Sequence, residues 1–255
     1  MINRQHVKDT FAEYTDRYNS SDIKVKLKID HTYRVAEIAD RIAQSLHLTG
    51  LDRDIAWLLG MLHDVGRFEQ LRRFHTFIDA DSVNHAALSA DILFKEGHIR
   101  DYIDDLGEDA LIEKAIRLHN VYKLPENLTM RELLFVNLLR DADKIDILKV
   151  NCDIPFDEIY DCSMDTYIHD KISDEVLNDA LSKKNVDRTH SKTTVDKLVC
   201  TISFVFGIAY PESIRCIKEQ GYLDEMMNFK SKNPETSERM TIIRSTVHDY
   251  MNSRL

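Results

Sequence analysis

Apolar residues recur at three- and four-residue steps along nearly the whole chain, and almost no segment alternates apolar with polar residues as a strand does. This period predicts an all-α fold. The first helix is predicted over residues 27–46, and its apolar stripe contains His31, Val35, Ile38, Ile42 and Leu46. The second is predicted over residues 52–64, with Asp52 as N-cap and Gly66 as the residue that stops it.

The same period predicts helices on both sides of residue 150. After a polar, aromatic-rich loop over roughly 66–80, the segments "DSVNHAALSADILF", "EDALIEKAIRLHN" and "MRELLFVNLLRDADKIDILKV" are each predicted to be helical. Asp81 or Ser82 is expected to cap the first of these, and the last is apolar on nearly every side, as a central helix is. Later helices are expected near 174–184, 194–208, 212–229 and 236–252. We therefore expect a core over residues 1–150 and a helical extension over 151–255 that packs on it and does not fold independently.

The composition agrees with an all-α fold and argues against some classes of binding partner. The 255 residues include only 7 Gly and 4 Pro, which is too few for a turn-rich fold. A net charge of −10 repels polyanions, so a nucleic acid polymer is not an expected partner. The four cysteines lie far apart, the first residues show no signal-peptide region, and the longest apolar run, "VCTISFVFGIAY", is too short to span a bilayer. We expect reduced thiols, no membrane partner and a cytoplasmic protein, and the oligomeric state is left open.

Titratable residues stand on the apolar faces of several predicted helices. His31 lies on the first apolar stripe, and the pair His63 and Asp64 ends the second helix, in "WLLGMLHDVGRF". His85 and His119 continue apolar rows of later helices, and "RDADKID" interrupts the apolar middle of the next one. Burying such groups is costly unless they are paired or bound to a metal. A shared ion would satisfy them together, because divalent first-row metals prefer imidazole nitrogens and carboxylate oxygens.

Each of these residues alone has a more ordinary interpretation. A single histidine on an apolar face is more often a hydrogen-bonded core residue than a ligand, and a helical aspartate is more often a cap or solvated. Asp141, Asp143 and Asp146 are open to that interpretation. Helical spacing cannot choose between Asp141 and Asp143, because the helix that bears them is apolar all round. The argument for a shared metal site therefore depends on all of these residues together: on their order in the sequence and on their positions on the apolar faces of their helices.

The order resembles that of the HD-domain family of metal-dependent phosphohydrolases. Its members have a first His on one helix, an HD doublet that ends the next, and an Asp on a later helix, usually in an "AD" pair before a basic residue. The matching residues here are His31, His63 with Asp64, and Asp143 in "DADKID". The resemblance covers residues 27–150, and "HDVGRF" is close to the HD-x-G-R form of one bacterial branch. It implies an HD-domain helical bundle with a C-terminal helical extension.

The resemblance implies a ligand set. One divalent ion would be bound by His31, His63, Asp64 and Asp143, and a second ion or the substrate by His85 and His119. Asp64 would then bridge the ions, and Asp141 would orient a ligand histidine. Asn120 stands where some branches have a second consecutive His, and no G-Y-P signature follows, so a cyclic-di-GMP hydrolase is not expected.

The ligand set in turn implies a reaction. Water bound to the metal would attack the phosphorus of a nucleotide or another small phosphate ester, with Asp64 as a catalytic ligand. One or two divalent ions of Mn, Fe, Co, Ni, Zn or Mg fit such ligands. Because the set is rich in histidine, it favours Mn, Fe, Co, Ni or Zn over Mg.

A phosphate substrate also needs cations near the metal. Arg67, three residues after Asp64, is a candidate for phosphate binding, with Lys144 and Lys123 as further candidates. Glu69 is a candidate general acid or base by its distance from the doublet. The segment Phe68–Asp79 forms either a wall over the site or ordinary aromatic packing.

Two alternatives from other classes stay open. An HD-type di-iron oxygenase uses the same scaffold to oxidise its substrate, and it needs iron at both metal positions. A metal-binding regulatory protein without catalysis is the other alternative. The intact set of candidate ligands argues against the second of these.

Overall fold

The structure is a computed structural model that describes residues 1–19, 21–154, 156 and 162–255. Within these ranges it contains helices, turns and bends and no strand, so the predicted all-α class is confirmed. The chain divides into two compact units, Met1–Asp146 and Ile147–Leu255. The expectation that residues 151–255 do not fold independently stays a prediction.

The first unit contains the candidate ligands. Its helices are α1 (Arg4–Thr15), α2 (Ile23–Ser45), α3 (Gly50–Leu62), α4 (Val65–Phe74), α5 (His85–Ala90), α6 (Ile99–Tyr102), α7 (Asp109–Leu118) and α8 (Met130–Asp153), the last of which continues past Asp146. A 3-10 turn at Asp79–Asp81 precedes α5, and a π-helical turn at Asp91–Lys95 follows it. The pattern of apolar residues thus located most of these helices to within a few residues.

Helices α2 and α3 approach closely because one of them has a glycine where they meet. A Cβ atom on Gly60 would lie 2.4 Å from the Cα of Ala36, so no larger residue fits there without a shift of the backbone. Val35 and Ala36 are buried at this contact. The contact holds the end of α3, which leads to His63, against the helix that bears His31.

The predicted loop over residues 66–80 is wrong in its first half, which forms α4. Phe68 and Leu71 stand three residues apart and are buried, so this segment has a helical apolar face. Gly66 does not stop α3, which ends at Leu62, but lies in the first turn of α4. A Cβ atom there would lie 2.6 Å from the backbone nitrogen of Ser89, so the glycine permits a close approach to α5.

Two predicted helix caps are also wrong. Helix α3 begins after Thr49, so Asp52 lies in its first turn rather than at the N-cap. Helix α5 begins after Asn84, whose side-chain oxygen accepts a backbone N–H of the first turn. Asp81 and Ser82 belong to the preceding 3-10 turn. In both cases another residue with a side-chain oxygen stood close to the start, and spacing alone did not choose between them.

The second unit is also helical. Its helices within the described residues are Met164–His169, Asp174–Leu181, Thr194–Ile202, Pro211–Gln220, Tyr222–Met227 and Pro234–Ser253. The predicted helix over 212–229 is interrupted at Gly221, whose φ of 75° is the left-handed conformation that ends a helix. The predicted helix over 194–208 ends at Ile202 and continues as a 3-10 turn.

Asp196 lies in the first turn of the helix Thr194–Ile202 in the second unit and stabilises its N-terminus. Its carboxylate is fully buried and accepts the backbone N–H groups of Ser173, Lys192 and Thr193 at 2.8, 2.8 and 3.0 Å. It also accepts the hydroxyl of Ser173 at 2.6 Å. Both of its oxygens are therefore satisfied by donors of the protein itself.

No described helix combines the length and the apolar character that a membrane span requires. The four cysteines are not joined in disulfides, and reduced thiols stay a prediction.

Candidate metal centre

Two of the candidate histidines stand directly after the last turn of a helix, and their rings are oriented in the same way. His63 follows α3 and His119 follows α7. In each ring Nδ1 lies at hydrogen-bond distance from the carbonyl oxygen three residues earlier, that of Gly60 at 2.8 Å and that of Ile116 at 2.7 Å. A carbonyl oxygen only accepts, so Nδ1 donates and Nε2 keeps a free lone pair. The unpaired carbonyls of a helix end thus fix the tautomer.

The other two histidines reach the same state through carboxylates. Nδ1 of His31 donates to Oδ2 of Asp146 at 2.6 Å, and Nδ1 of His85 donates to Oδ2 of Asp79 at 2.7 Å. Asp146 is fully buried and is also paired with Arg34 at 2.6 Å. A carboxylate on the far nitrogen of a ligand histidine orients the ring and raises its basicity. All four histidines therefore present Nε2 as an acceptor.

A first ligand group forms where the Nε2 atoms of His31 and His63 meet two aspartates. Oδ2 of Asp64 lies 3.6 Å from each of these nitrogens. Oδ1 of Asp143 lies 3.2 Å from the nitrogen of His31 and 3.7 Å from that of His63. Atoms bound about 2.1 Å from one ion are about 3 to 3.5 Å apart, so these separations suit a common ion. The structure thus brings all four predicted ligands together.

A second ligand group uses the other oxygen of Asp64. Oδ1 of Asp64 lies 3.6 Å from Nε2 of His85 and 3.9 Å from Nε2 of His119. The two nitrogens are 3.1 Å apart, and both are oriented as acceptors. Two lone pairs that face each other repel unless a proton or another cation lies between them. The two groups share Asp64, and the ligand atoms of His31, His63 and Asp64, like those of Asp64, His85 and His119, are close enough to one another to hold a metal ion.

Buried atoms without a hydrogen-bond partner point into this cluster. They include Nε2 of His31, Nε2 of His63 and Oδ1 of Asp64, and each of these residues is at most 2% exposed. An unsatisfied buried polar atom costs about 1–3 kcal/mol. Because imidazole nitrogen and carboxylate oxygen are metal ligands, a divalent ion would satisfy all three atoms at once, and the residues therefore fit such an ion.

The electrostatics of the cluster keep its carboxylates ionised. Burial would raise the pKa of Asp64, but Lys28 and the neighbouring histidines outweigh it and hold that pKa well below its usual range. Burial would likewise raise the pKa of Asp143, but its close contacts with the imidazoles of His31 and His63 outweigh burial and hold that pKa well below its usual range. Ionised carboxylates are the form that binds metals.

The pKa shifts of the histidines have opposite directions in the two ligand groups. Burial lowers the pKa of His119 to about 3 and also lowers the pKa of His85. Burial acts in the same direction on His63, but the charges of Asp64 and Asp143 outweigh it and raise its pKa. The second ligand group therefore holds its histidines neutral without help, whereas the carboxylates of the first group attract a positive charge to its position.

Arg67, predicted to bind phosphate, lies at the edge of both groups. Its Nε is 3.7 Å from Oδ1 of Asp64 and has no hydrogen-bond partner, and its Nη2 is 3.3 Å from Nε2 of His85. Its Nη1 donates to the carbonyl of Phe77 at 2.6 Å and to Asp79 at 3.0 Å. One edge of the guanidinium is thus anchored, and the other faces the ligands.

Two predicted residues lie in other surroundings. Lys123 is 79% exposed and stands 3.6 Å from Glu126. The carboxylate of Glu69 is paired with Arg72 and Arg73, both at 2.8 Å. Burial would raise the pKa of Glu69, but these arginines outweigh it and lower that pKa, which is unfavourable for a general acid. These positions give the two predicted roles no support.

Asp141 is buried on α8, and Lys144 is half-buried. Burial lowers the pKa of Lys144 to about 8, and Asp141, 1% exposed, interacts with both Lys144 and Arg140. The aspartate of α8 that orients His31 is Asp146, so the orienting role proposed for Asp141 stays a prediction.

The aromatic segment is divided between the core and the site. Phe68 is buried and packs edge-on against Phe11 and Tyr14, which is ordinary aromatic packing. Phe77 instead lies beside two cations, with the guanidinium of Arg67 5.7 Å and the ammonium of Lys28 5.8 Å from its ring centre.

Three residues of the cluster were not predicted as parts of the site: Lys28, Asp79 and Asp146. Lys28 stands three residues before His31, and Asp146 three residues after Asp143. Helical spacing places each on the same face as a predicted ligand, and that signal was available in the sequence. Asp79 lies in a short 3-10 turn, where no periodicity could have indicated it.

Comparison with known families agrees with this geometry. The sequence model described as "HD domain" matches residues 29–148, a range that includes every residue of both ligand groups. The match covers slightly less than half of the chain, and the helical structure of the described residues is consistent with it. Searches of curated proteins and of solved structures found no match.

Proposed function

We propose that this protein is a metal-dependent phosphohydrolase that cleaves a nucleotide or another small phosphate ester, with water as the nucleophile. The observation that carries the proposal is the meeting of four histidine Nε2 atoms at the two oxygens of Asp64. The match to the HD-domain family model over residues 29–148 supports the same chemistry. Elements that are distant in sequence would have little reason to direct four imidazoles at one buried carboxylate, with the Nε2 atoms of His31 and His63 lacking any hydrogen-bond partner, without a cation.

Each residue has a role in this proposal. One divalent ion would be held by His31, His63, Asp64 and Asp143, and a second would be held by His85, His119 and Asp64. Such ions supply a water of lowered pKa and positive charge for the phosphoryl oxygens. Asp79 and Asp146 keep the ligand rings in the binding tautomer. The histidine-rich ligands favour Mn, Fe, Co, Ni or Zn over Mg.

Arg67 is the cation that we expect to contact the substrate. Because Nη1 is held by Phe77 and Asp79, the guanidinium is fixed in place with Nε and Nη2 directed toward the ligands. A guanidinium edge of this kind binds two oxygens of a phosphate. A net charge of −10 over the whole chain disfavours polyanions, so a small substrate is proposed.

A phosphate-release screen over nucleotides and small phosphoesters, run with each of several divalent metals, tests the proposal. We expect release that depends on added metal and that is lost in Asp64→Ala. Arg67→Ala should raise KM more than it weakens metal binding, and unchanged kinetics would remove Arg67 from the site. Phosphate release by Asp64→Ala with normal metal dependence would contradict the proposal.

The presence of two ligand groups keeps one other reaction in view, oxidation by a pair of iron ions. Metal content after anaerobic purification, together with an oxygen-consumption assay, separates it from hydrolysis. We expect phosphate release without oxygen uptake. Oxygen uptake that requires iron at both positions would favour the oxygenase instead.

A further inference from the structure

The closest cation to the shared carboxylate is a lysine of the protein. Lys28 stands on α2 one turn before His31, and its side chain is 15% exposed. Its Nζ donates to Oδ2 of Asp64 at 2.7 Å. Within the described residues no other basic side chain approaches Asp64 this closely, since Arg67 and the four histidines are 3.6 to 3.9 Å away.

The oxygen that Lys28 contacts belongs to the first ligand group. Oδ2 of Asp64 is the atom 3.6 Å from the Nε2 atoms of both His31 and His63. The other oxygen, Oδ1, belongs to the second group and has no hydrogen-bond donor. The lysine is thus directed at one of the two ligand groups.

We propose that Lys28 is the counter-ion of Asp64 in the metal-free protein and competes with the first metal ion for Oδ2. The inference rests on the proposed function, because it presupposes a metal in the first ligand group. A buried carboxylate without a partner is strongly destabilising, and Lys28 supplies that partner while no metal is bound. When a divalent ion binds, the ammonium and the ion repel each other at short range, where solvent screens them little.

This competition has two consequences of opposite sign. Lys28 stabilises the metal-free fold, and it weakens binding at the first ligand group. The first ion is therefore held less tightly than its four ligands alone would hold it. At the second group the nearest cation is Arg67, whose Nε lies 3.7 Å from Oδ1 of Asp64 and does not donate to it, so the effect expected of Lys28 falls on the first ion.

The test replaces Lys28 by Met and compares metal binding with the unfolding temperature of the metal-free protein. We expect Lys28→Met to bind Mn²⁺ or Zn²⁺ at the first group about tenfold more tightly or better by calorimetry, because one nearby positive charge is removed. Its metal-free form should unfold several degrees lower. Lys26→Met, an exposed residue of the same helix, makes the same change in net charge and should alter neither quantity. Lys28→Arg keeps the charge and should show no such gain in affinity.

The sign of the change in affinity decides the inference. If Lys28 instead supported a metal-bound Asp64 by hydrogen bonding, Lys28→Met would bind metal more weakly than the wild type. That result would contradict the inference about Lys28 but not the proposed metal centre. No metal binding by the wild type would overturn the metal centre itself, and the inference with it.

A second measurement uses the wild type, in case the variant folds poorly. Lysines carrying ¹³C-labelled methyl groups give one NMR signal each, and the signal absent from Lys28→Arg identifies Lys28. We expect this signal to shift on addition of Zn²⁺ while that of Lys26 stays in place. An unmoved Lys28 signal at saturating Zn²⁺ would contradict the competition.

Discussion

Two fully buried aspartates, one in each unit, show what separates a structural carboxylate from a functional one. Asp196 in the second unit accepts three backbone N–H groups and a hydroxyl, so both of its oxygens are satisfied by the fold. Asp64 in the first unit has one ammonium on Oδ2 and no hydrogen-bond donor on Oδ1. Burial and charge are the same in the two cases. The difference lies in whether the protein itself completes the coordination of the carboxylate.

The same contrast holds for histidines paired with aspartates. His31 donates through Nδ1 to Asp146 and buries an unsatisfied Nε2, whereas His190 contacts Asp179 at 2.7 Å with its ring 41% exposed to water. A His–carboxylate pair is therefore not by itself a sign of a metal. What indicates the metal is a second ring nitrogen that is buried, unsatisfied and directed at other ligands.

The largest expected effect is the loss of metal binding when Asp64 is replaced, and the same replacement at Asp196 is its control. Asp64→Ala should abolish metal retention and phosphate release with little change in helix content, because Asp64 contributes to both ligand groups. Asp196→Ala should leave metal binding intact but destabilise the fold, at about 1–3 kcal/mol for each donor left unsatisfied. Metal analysis and urea unfolding check both variants. Loss of metal from Asp196→Ala with no change in stability would break the comparison.

The next effect concerns the residues behind the ligand histidines. Asp146→Asn should weaken metal binding about 10- to 100-fold, because Asn orients His31 less firmly and adds no charge. The matched change in the second unit, Asp179→Asn, should leave affinity unchanged. Isothermal titration with Zn²⁺ measures both. Equal affinities for the two variants would mean that the partner of Nδ1 does not matter here.

A smaller effect is expected where backbone packing positions one ligand group. Gly66→Ala places a methyl group against the backbone of Ser89 and His85, which should cost about 1–3 kcal/mol as the helices separate. The displacement should weaken the second ligand group more than the first, because His85 belongs to the second. Urea unfolding measures the stability of the variant, and isothermal titration with Zn²⁺ measures its metal affinity at each of the two ligand groups. A variant as stable as wild type would show that α5 can shift freely.

The smallest effect is a pH dependence in the second unit. The hydrogen bond to Asp179 raises the pKa of His190. The stability from this pair should therefore be present below the pKa of the unfolded histidine, about 6.5, and be lost as the pH rises through the folded pKa. Because the ring is well exposed, the effect should be slight. NMR titration of wild type and Asp179→Asn would show it, and identical His190 titrations would contradict it.

Much of the fold and of the ligand set could be predicted from the sequence, because both depend on local spacing. Helical steps located α2 and α3 and placed His31 on an inward face. The choice of Asp143 over Asp141 depends on the family pattern rather than on spacing, since the sequence of α8 is apolar on nearly every side. That pattern made Asp143 the predicted ligand, and the structure places it beside His31.

The rest could not be predicted because it depends on contacts between distant segments. Gly66 looks like a helix stop until the backbone of α5 is seen against it. The contact between His31 and Asp146 joins residues 115 positions apart, and the spacing of Asp146 from Asp143 indicated a shared helix face but not this partner. Glu69 was chosen for its nearness to the doublet in sequence, but the arginines of the next turn already bind it.

A crystal structure of the protein soaked with Mn²⁺ or Zn²⁺, with anomalous diffraction to locate the ions, tests the central claim most directly. We predict an ion about 2.0–2.3 Å from Nε2 of His31, Nε2 of His63 and an oxygen of both Asp64 and Asp143. Ordered waters or protein donors satisfying these atoms, with no ion among them at saturating metal, would contradict the account.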